Sequence, residues 1–279
     1  MNGITGKTNV LGIIGCPVDH SFSPVMHNFI SSKLKKDYVY CAMDVKKEDL
    51  EKAISGIRAL NIKGVNVTAP HKMEVIKYLD FVSKEAFDYG SVNTIVNENG
   101  KLKGYNTDAE GFYLSLVNSG INILGKDILI LGAGGAARPI CIKLLNEGAK
   151  SITVFNRTIK RAEELKDYVF LRTKKEICIN FSNKHYDVVI NATSAGLGEN
   201  KDLPISDFSF VDSKTDAFDL IYNPPETPFL SEMKKAGARK AVNGLGMLIY
   251  QGLVAYELFT GEKIDYKLYH DVKKEVFGL

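Results

Sequence analysis

Apolar positions recur at two periods along this chain, and the switches between them mark the expected elements. Residues 10–15, 37–45 and 64–67 read as strands, with 46–60 as a helix whose Ile54, Ile57 and Leu60 face inward. An amphipathic run through Leu34 reads as an earlier helix, with Ser23 and Pro24 as N-cap and first helical residue. A helix starting at Pro70 is expected after the third strand. Residues 91–97 and 101–105 flank Glu98-Asn99-Gly100, a hairpin signal, and a helix to Ser119 follows. Ile128 to Leu131 is apolar throughout, as in a strand buried on both faces of a parallel sheet. A helix to Asn146 is closed by Gly148, with a strand at 151–155 and a helix from 158 to about 167. Strands at 187–190, 217–222 and 239–242 alternate with helices at 229–236, to about Phe259, and at 266–277. This alternation is that of an α/β protein.

The turn after Leu131 carries the first chemical signal. Gly132, Gly134 and Ala137 fall at the G-x-G-x-x-A spacing, between a strand and a helix. The first glycine permits a tight turn, the second lets a pyrophosphate approach the backbone, and the small third residue lets helix pack on strand. A phosphate there meets free N–H groups and the positive end of the helix dipole. The strand–turn–helix–strand context therefore points to a dinucleotide. About 20 residues further on, an NAD enzyme usually places an Asp or Glu on the ribose hydroxyl. Here the strand ends in Asn156-Arg157-Thr158, followed by Lys160 and Arg161. Guanidinium groups match a phosphate bidentately, so the residues favour NADP over NAD. The plainer alternative is that Thr158 caps a helix with surface cations in its first turn; such cations oppose the helix dipole.

Composition narrows the remaining classes. The 279 residues are 45% hydrophobic and 25% charged, enough for one large or two medium cores. With 36 Lys and Arg against 33 acidic residues, the formal charge of +3 makes no case for nucleic acid or a membrane surface. The N-terminal apolar stretch is too short and wrongly flanked for a signal peptide, and no run approaches the ~20 residues of a membrane span. A cytoplasmic protein is expected. Cys16, Cys41, Cys141 and Cys178 have no metal-ligand spacing and are expected to be buried reduced thiols. The five histidines form no ligand cluster, so no metal site is expected.

The first half adds polar residues at strand ends, where α/β sheets bind ligands. Ser21 adds a second hydroxyl beside Ser23, and the pair is balanced between helix capping and binding a small carboxylate. Asn66 and Thr68 point to one side of their strand. Lys72 is placed in the first turns of the helix expected from Pro70, where a cation opposes the dipole. Asn93 leads into one hairpin arm; Asp108 follows the other, and reads either as a functional carboxylate or as an N-cap. Gln251 is a polar residue inside an apolar helix, either a satisfied core amide or a ligand contact.

Taken in order, these segments resemble the shikimate dehydrogenase family over nearly the full length. The resemblance rests on Ser21-Phe-Ser23-Pro24, Asn66-Val-Thr68-Ala-Pro-His-Lys72, Val92-Asn93-Thr94 and Asn106-Thr107-Asp108. It continues through Gly132-Ala133-Gly134-Gly135-Ala136-Ala137, Asn156-Arg157-Thr158, and Asn243-Gly244-Leu-Gly-Met247 with Gln251. It implies a Rossmann-type parallel-sheet domain and a smaller α/β substrate domain facing each other across a cleft. The substrate domain would span 1–108, completed by the C-terminal helices of 246–279, and the NADP domain 109–245. Lys72 would be the acid–base residue, paired with Asp108. Ser21, Ser23 and Tyr222 would hold a substrate carboxylate, and Asn66, Thr68, Asn93, Asp108 and Gln251 its hydroxyls. Gly132, Ala133, Gly134, Gly135, Ala136, Asn156, Arg157, Thr158 and Arg161 would hold NADP, with Leu220, Gly244 and Met247 along its nicotinamide. The implied reaction is reversible NADPH-dependent reduction of 3-dehydroshikimate to shikimate, by a monomer or homodimer. A quinate/shikimate dehydrogenase and a non-catalytic ligand sensor are the alternatives. Asn243, Ala69 and Pro139 depart from the commonest pattern, and Pro139 requires its helix to begin only shortly before it.

Overall fold

The computed structural model describes residues 4–179, 181–182 and 184–279. The chain forms two compact units, the first running through Gly111 and resuming at Ile249–Leu279, the second formed by Phe112–Leu248.

The first unit opens with β1 (Asn9–Gly15), α1 (Ser23–Lys33), β2 (Tyr38–Asp44), α2 (Leu50–Ala59) and β3 (Gly64–Val67). It continues through β4 (Phe81–Val82), α3 (Lys84–Tyr89), β5 (Thr94–Glu98) and β6 (Lys101–Tyr105) to α4 (Asp108–Asn118). Its sheet runs β2-β1-β3-β5-β6-β4 and is mixed, because β5 pairs antiparallel with both β3 and β6. The β5–β6 turn has Asn99 at φ 53° and Gly100 at φ 85°, the pair of positive values that a two-residue hairpin turn needs. Leu50, Ile54 and Ile57 of α2 recur once per turn and are buried with Ile14, Val65, Val67 and Ile95. Each such side chain contributes roughly 1.5–3 kcal/mol through burial.

The second unit holds β7 (Asp127–Leu131), α5 (Ala137–Asn146), β8 (Ser151–Phe155), α6 (Ile159–Thr173) and β9 (Val188–Asn191). Then come β10 (Asp216–Asp219), α7 (Pro228–Lys235) and β11 (Lys240–Val242), after which α8 (Leu245–Thr260) leads back to the first unit and α9 (Leu268–Phe277). The five strands are all parallel, in the order β11-β10-β9-β7-β8. The chain leaves β7 for β8 on one side and returns to β9 on the other, which makes the β7/β9 carboxyl ends a topological switch point. In the first unit α9 meets α1 through Phe22 and Phe277, whose ring centroids are 5.3 Å apart.

Several local expectations change. No helix starts at Pro70: residues 69–73 form turns, and a short 3-10 helix, Glu74–Tyr78, follows. Lys72 thus sits in a turn and not on a helix. Ser23 does not cap α1; the N-cap position is Phe22, and the Ser21 hydroxyl accepts the Ser23 N–H at 3.2 Å. Leu60 ends α2 as its C-cap and is 74% exposed, so it does not face inward. The strand expected to reach residue 222 stops at Asp219. Cys141 is buried, but Cys41 and Cys178 are exposed and Cys16 is intermediate, all four being free. Cys41 lies on β2, an edge strand of its sheet. Pro139 falls in the first turn of α5, where a missing N–H has no helical partner to lose.

Candidate active site

Strand ends of the first unit gather the polar residues that the sequence singles out. Lys72 Nζ donates to Asp108 Oδ2 at 2.7 Å, and Asn93 Nδ2 donates to Asp108 Oδ1 at 2.9 Å. Asp108 does not cap its own helix; the Asn106 Oδ1 accepts the Asp108 and Ala109 N–H groups, at 3.1 and 3.4 Å. That leaves both carboxylate oxygens of Asp108 for side chains. The Lys72 carbonyl accepts the Val92 N–H at 2.8 Å, which fixes the turn that carries the ammonium beside β5.

Behind this pair lies a buried amide network. Asn93 also donates to Thr107 Oγ1 at 3.0 Å, while its Oδ1 accepts the Thr107 N–H at 2.7 Å and the Thr94 hydroxyl at 3.0 Å. Asn66 Nδ2 donates to Thr94 Oγ1 at 3.1 Å and to the Asn93 carbonyl at 3.2 Å, and its Oδ1 accepts the Tyr40 hydroxyl at 2.7 Å. Burial pushes the Tyr40 phenol well above its ordinary range, opposed by a hydrogen bond with the Ser23 hydroxyl. Thus Asn66, Asn93, Lys72 and Asp108 are joined into one set, with Tyr40, Thr94 and Thr107 as links that the sequence reading missed. Nothing in the strand pattern separates a buried tyrosine that packs from one that also donates a hydrogen bond.

Ser21 is half-buried beside Ser23. Thr68 follows β3, its methyl 2.2 Å from where a Cβ on Gly15 would lie. Gln251, half-buried on α8, packs its backbone 2.5 Å from a Cβ placed on Gly111, one turn beyond Asp108. Tyr222 belongs to the second unit, where burial raises its phenol pKa.

In the second unit a cavity of about 570 Å³ opens at the switch point. Gly132, Ala133, Gly134, Asn156, Arg157, Thr158 and Arg161 line it, joined by Phe155, Ala192–Ala195, Asn200 and residues 202–204. Gly132 has φ 108° and lies against Thr193, whose methyl would be 2.8 Å from an added Cβ; only glycine fits. Around Gly134 and Gly135 nothing lies within 4 Å of an added Cβ, which leaves the room a pyrophosphate needs. Asn156 Oδ1 accepts the Ala133 N–H at 3.1 Å and its Nδ2 donates to the Thr158 carbonyl at 2.8 Å, tying the glycine turn to the basic loop. Two exposed arginines line the wall and no carboxylate ends β8, so the residues fit a phosphorylated dinucleotide. Gly135, Ala136, Leu220, Gly244 and Met247 are not part of the cavity wall. Leu220 and Gly244 do meet each other, a Cβ on Gly244 falling 2.1 Å from the Leu220 carbonyl oxygen.

Fold and site together define a Rossmann-type dinucleotide-binding protein with a lysine–carboxylate pair on a second α/β unit. Residues 13–95 match the model of the shikimate dehydrogenase substrate binding domain, 115–198 that of shikimate / quinate 5-dehydrogenase, and 244–269 that of the shikimate 5'-dehydrogenase C-terminal domain. The chain belongs to the shikimate dehydrogenase family. It is 43% identical to a shikimate dehydrogenase (NADP(+)) of Methanococcus maripaludis, over 93% of this chain and 94% of the relative. A shikimate dehydrogenase crystallised with NADP+ matches with a TM-score of 0.89 and 42% identity, covering 96% of each chain. One from Thermus thermophilus, in complex with NADP(H) and shikimate, matches with a TM-score of 0.86 at 33% identity, over 96% and 100% of the two chains. No helix among the described residues is long and apolar enough to cross a membrane.

Proposed function

We propose that this chain catalyses the reversible NADP-linked interconversion of shikimate and 3-dehydroshikimate. The observation that carries the reading is the Lys72–Asp108 pair, held by Asn93 in a chain whose second unit carries a glycine turn and a carboxylate-free basic loop. The named activity of relatives at this identity supports it. When bound, NADPH supplies the hydride that reduces the ketone carbon. Lys72 handles the proton: its ammonium donates to the ketone oxygen as negative charge develops there, and its amine accepts the proton in the reverse direction. Asp108 aims that ammonium. Ser21, Ser23 and Tyr222 hold the substrate carboxylate. Asn66, Thr68, Asn93, Asp108 and Gln251 receive its hydroxyls.

Gly132 to Ala136 cradle the pyrophosphate, Arg157 and Arg161 with Asn156 and Thr158 take the 2′-phosphate, and Leu220, Gly244 and Met247 border the nicotinamide. Residues 1–108 with 246–279 act as the substrate domain and 109–245 as the NADP domain. The partners are small molecules, and the reading places the chain in the cytoplasm as a monomer or homodimer. Purified protein given shikimate and NADP should raise absorbance at the reduced-nicotinamide band. Tight shikimate binding with no turnover would replace this reading by that of a ligand sensor.

A further inference from the structure

Strand β10 carries a buried aspartate at each end, and the two are held in opposite ways. Asp216, 1% exposed, pairs bidentately with Arg239. Asp219, 0% exposed, has only neutral donors among the described residues: Asn191 Nδ2 at 3.0 Å, the Ile221 N–H at 3.0 Å and the Thr227 hydroxyl at 2.6 Å. Asn191 and Thr227 are themselves fully buried. A carboxylate removed from water without a cation is costly, and burial raises the Asp219 pKa against the pull of its three donors. A neutral side chain would fill this position with less penalty, which asks what the carboxylate does there.

Its donors answer the question. Asn191 ends β9, and its Oδ1 accepts both the N–H and the hydroxyl of Thr193, at 3.0 and 2.7 Å, while Thr193 Oγ1 accepts the Ala195 N–H at 3.1 Å. Residues 192–195 are a wall of the nucleotide cavity, and Thr193 abuts Gly132. On the other side, the Ile221 N–H bond fixes the turn that presents Leu220 and leads to Tyr222. Thr227 caps α7 by accepting the Leu230 N–H at 3.2 Å. Leu220 is held from two more directions, by its N–H on the Asn191 carbonyl at 3.0 Å and by the side-chain-free Gly244.

We propose that Asp219 is a positioning residue that locks the cavity wall after β9 to the turn after β10, setting the dinucleotide contacts and the Leu220–Tyr222 segment in one register. This rests on the roles proposed above for Leu220 and Tyr222. The lock acts through hydrogen bonds with fixed direction: Asn191 and Thr227 donate, and only an oxygen at residue 219 accepts from both.

The test compares Asp219→Ala, Thr227→Val and Thr227→Ser with Asp216→Asn, a control at the far end of the same strand. Melting temperature is measured for each variant, and kcat, KM for shikimate and NADP, and NADP affinity by calorimetry are read well below it. Thr227→Val should lower kcat about tenfold and weaken NADP severalfold, and Thr227→Ser should restore both. Asp219→Ala should lower kcat further. Asp216→Asn should lower the melting temperature and leave kcat and NADP affinity unchanged. Thr227→Val with a lowered melting temperature but wild-type kcat, KM and NADP affinity would overturn the proposal and leave a purely structural knot. A wild-type chain that does not oxidise shikimate would defeat the proposed function instead, and the lock would then be judged on NADP affinity alone.

Discussion

Asn93 and Asp108 are joined at 2.9 Å, on the oxygen of the carboxylate that Lys72 does not use. The other hydrogen bonds of the Asn93 side chain go to Thr94 and Thr107, so the amide cannot rotate without breaking buried bonds. Asp108 is thereby aimed, and Lys72 with it. Asn93→Ala should reduce kcat by roughly tenfold to a hundredfold, the effect of losing one hydrogen bond to a charged group. Steady-state assays with shikimate should show kcat falling more than KM rises.

Lys72→Met keeps the length of the stem and removes both charge and proton. The expected loss in kcat is roughly 10²–10⁴, with a much smaller change in shikimate affinity. Calorimetric titration with shikimate checks the second half. A parallel loss of affinity with kcat intact would make Lys72 an anchor and not the acid–base group.

Arg157 stands at the cavity wall beyond the end of β8. Its loss should weaken NADP by about tenfold to a hundredfold, as expected for one charged hydrogen bond, and leave NAD use nearly unchanged. Initial rates of Arg157→Ala with each nucleotide decide this. Equal losses for both would mean that the loop itself has moved.

The sequence made the start of the second unit legible because the run Ile128 to Leu131 is apolar throughout and the glycine turn after it has a fixed spacing. Ile128 to Leu131 and Gly132 to Ala137 needed no partner from elsewhere in the chain to be read. What stayed hidden depends on long-range partners. The two-residue β4 has too few positions for any period, and it forms only because β6 lies alongside. Tyr40 reads as core, and its donation to Asn66 exists only because β1 and its neighbours bring residues 40 and 66 together. Asp219 falls inside the strand expected over 217–222, and Thr227 lies just ahead of the helix expected over 229–236. Thr227 is a cap, and the same hydroxyl also reaches the carboxylate.

Gly244 offers a test of the turn after β10 that leaves charge untouched. A Cβ there would fall 2.1 Å from the Leu220 carbonyl oxygen, a backbone atom that cannot swing aside. Gly244→Ala should therefore displace the Leu220 segment, lowering kcat and the melting temperature together. Crystallographic comparison with the wild type should show the carbonyl moved. Gly134→Ala has open space and should fold normally, while weakening NADP. Unchanged NADP affinity in that variant would remove the glycine turn from the cofactor site.

His27 predicts how the first unit responds to acid. The ring is fully buried, stacked on Tyr40 with centroids 4.3 Å apart, and flanked by Tyr256 and Phe259. Neither ring nitrogen has a hydrogen-bond partner among the described residues. Burial lowers its pKa from 6.5 to about 3, so the folded protein keeps it neutral where the unfolded chain takes up a proton. Stability from this site is therefore complete above pH ~6.5 and declines as pH falls toward 3, by about 1.4 kcal/mol per unit at the steepest. The two tyrosines that face the ring are raised above their ordinary range and do not titrate in this window. Between pH 7.5 and pH 5 the site should cost the wild type about 2 kcal/mol, a penalty absent from His27→Phe. Urea unfolding of both proteins at the two pH values measures it. Whatever the phenyl ring costs in packing is the same at both pH values, so only the change in the difference counts. A difference that does not move with pH would mean that the folded protein protonates His27 as readily as the unfolded chain does.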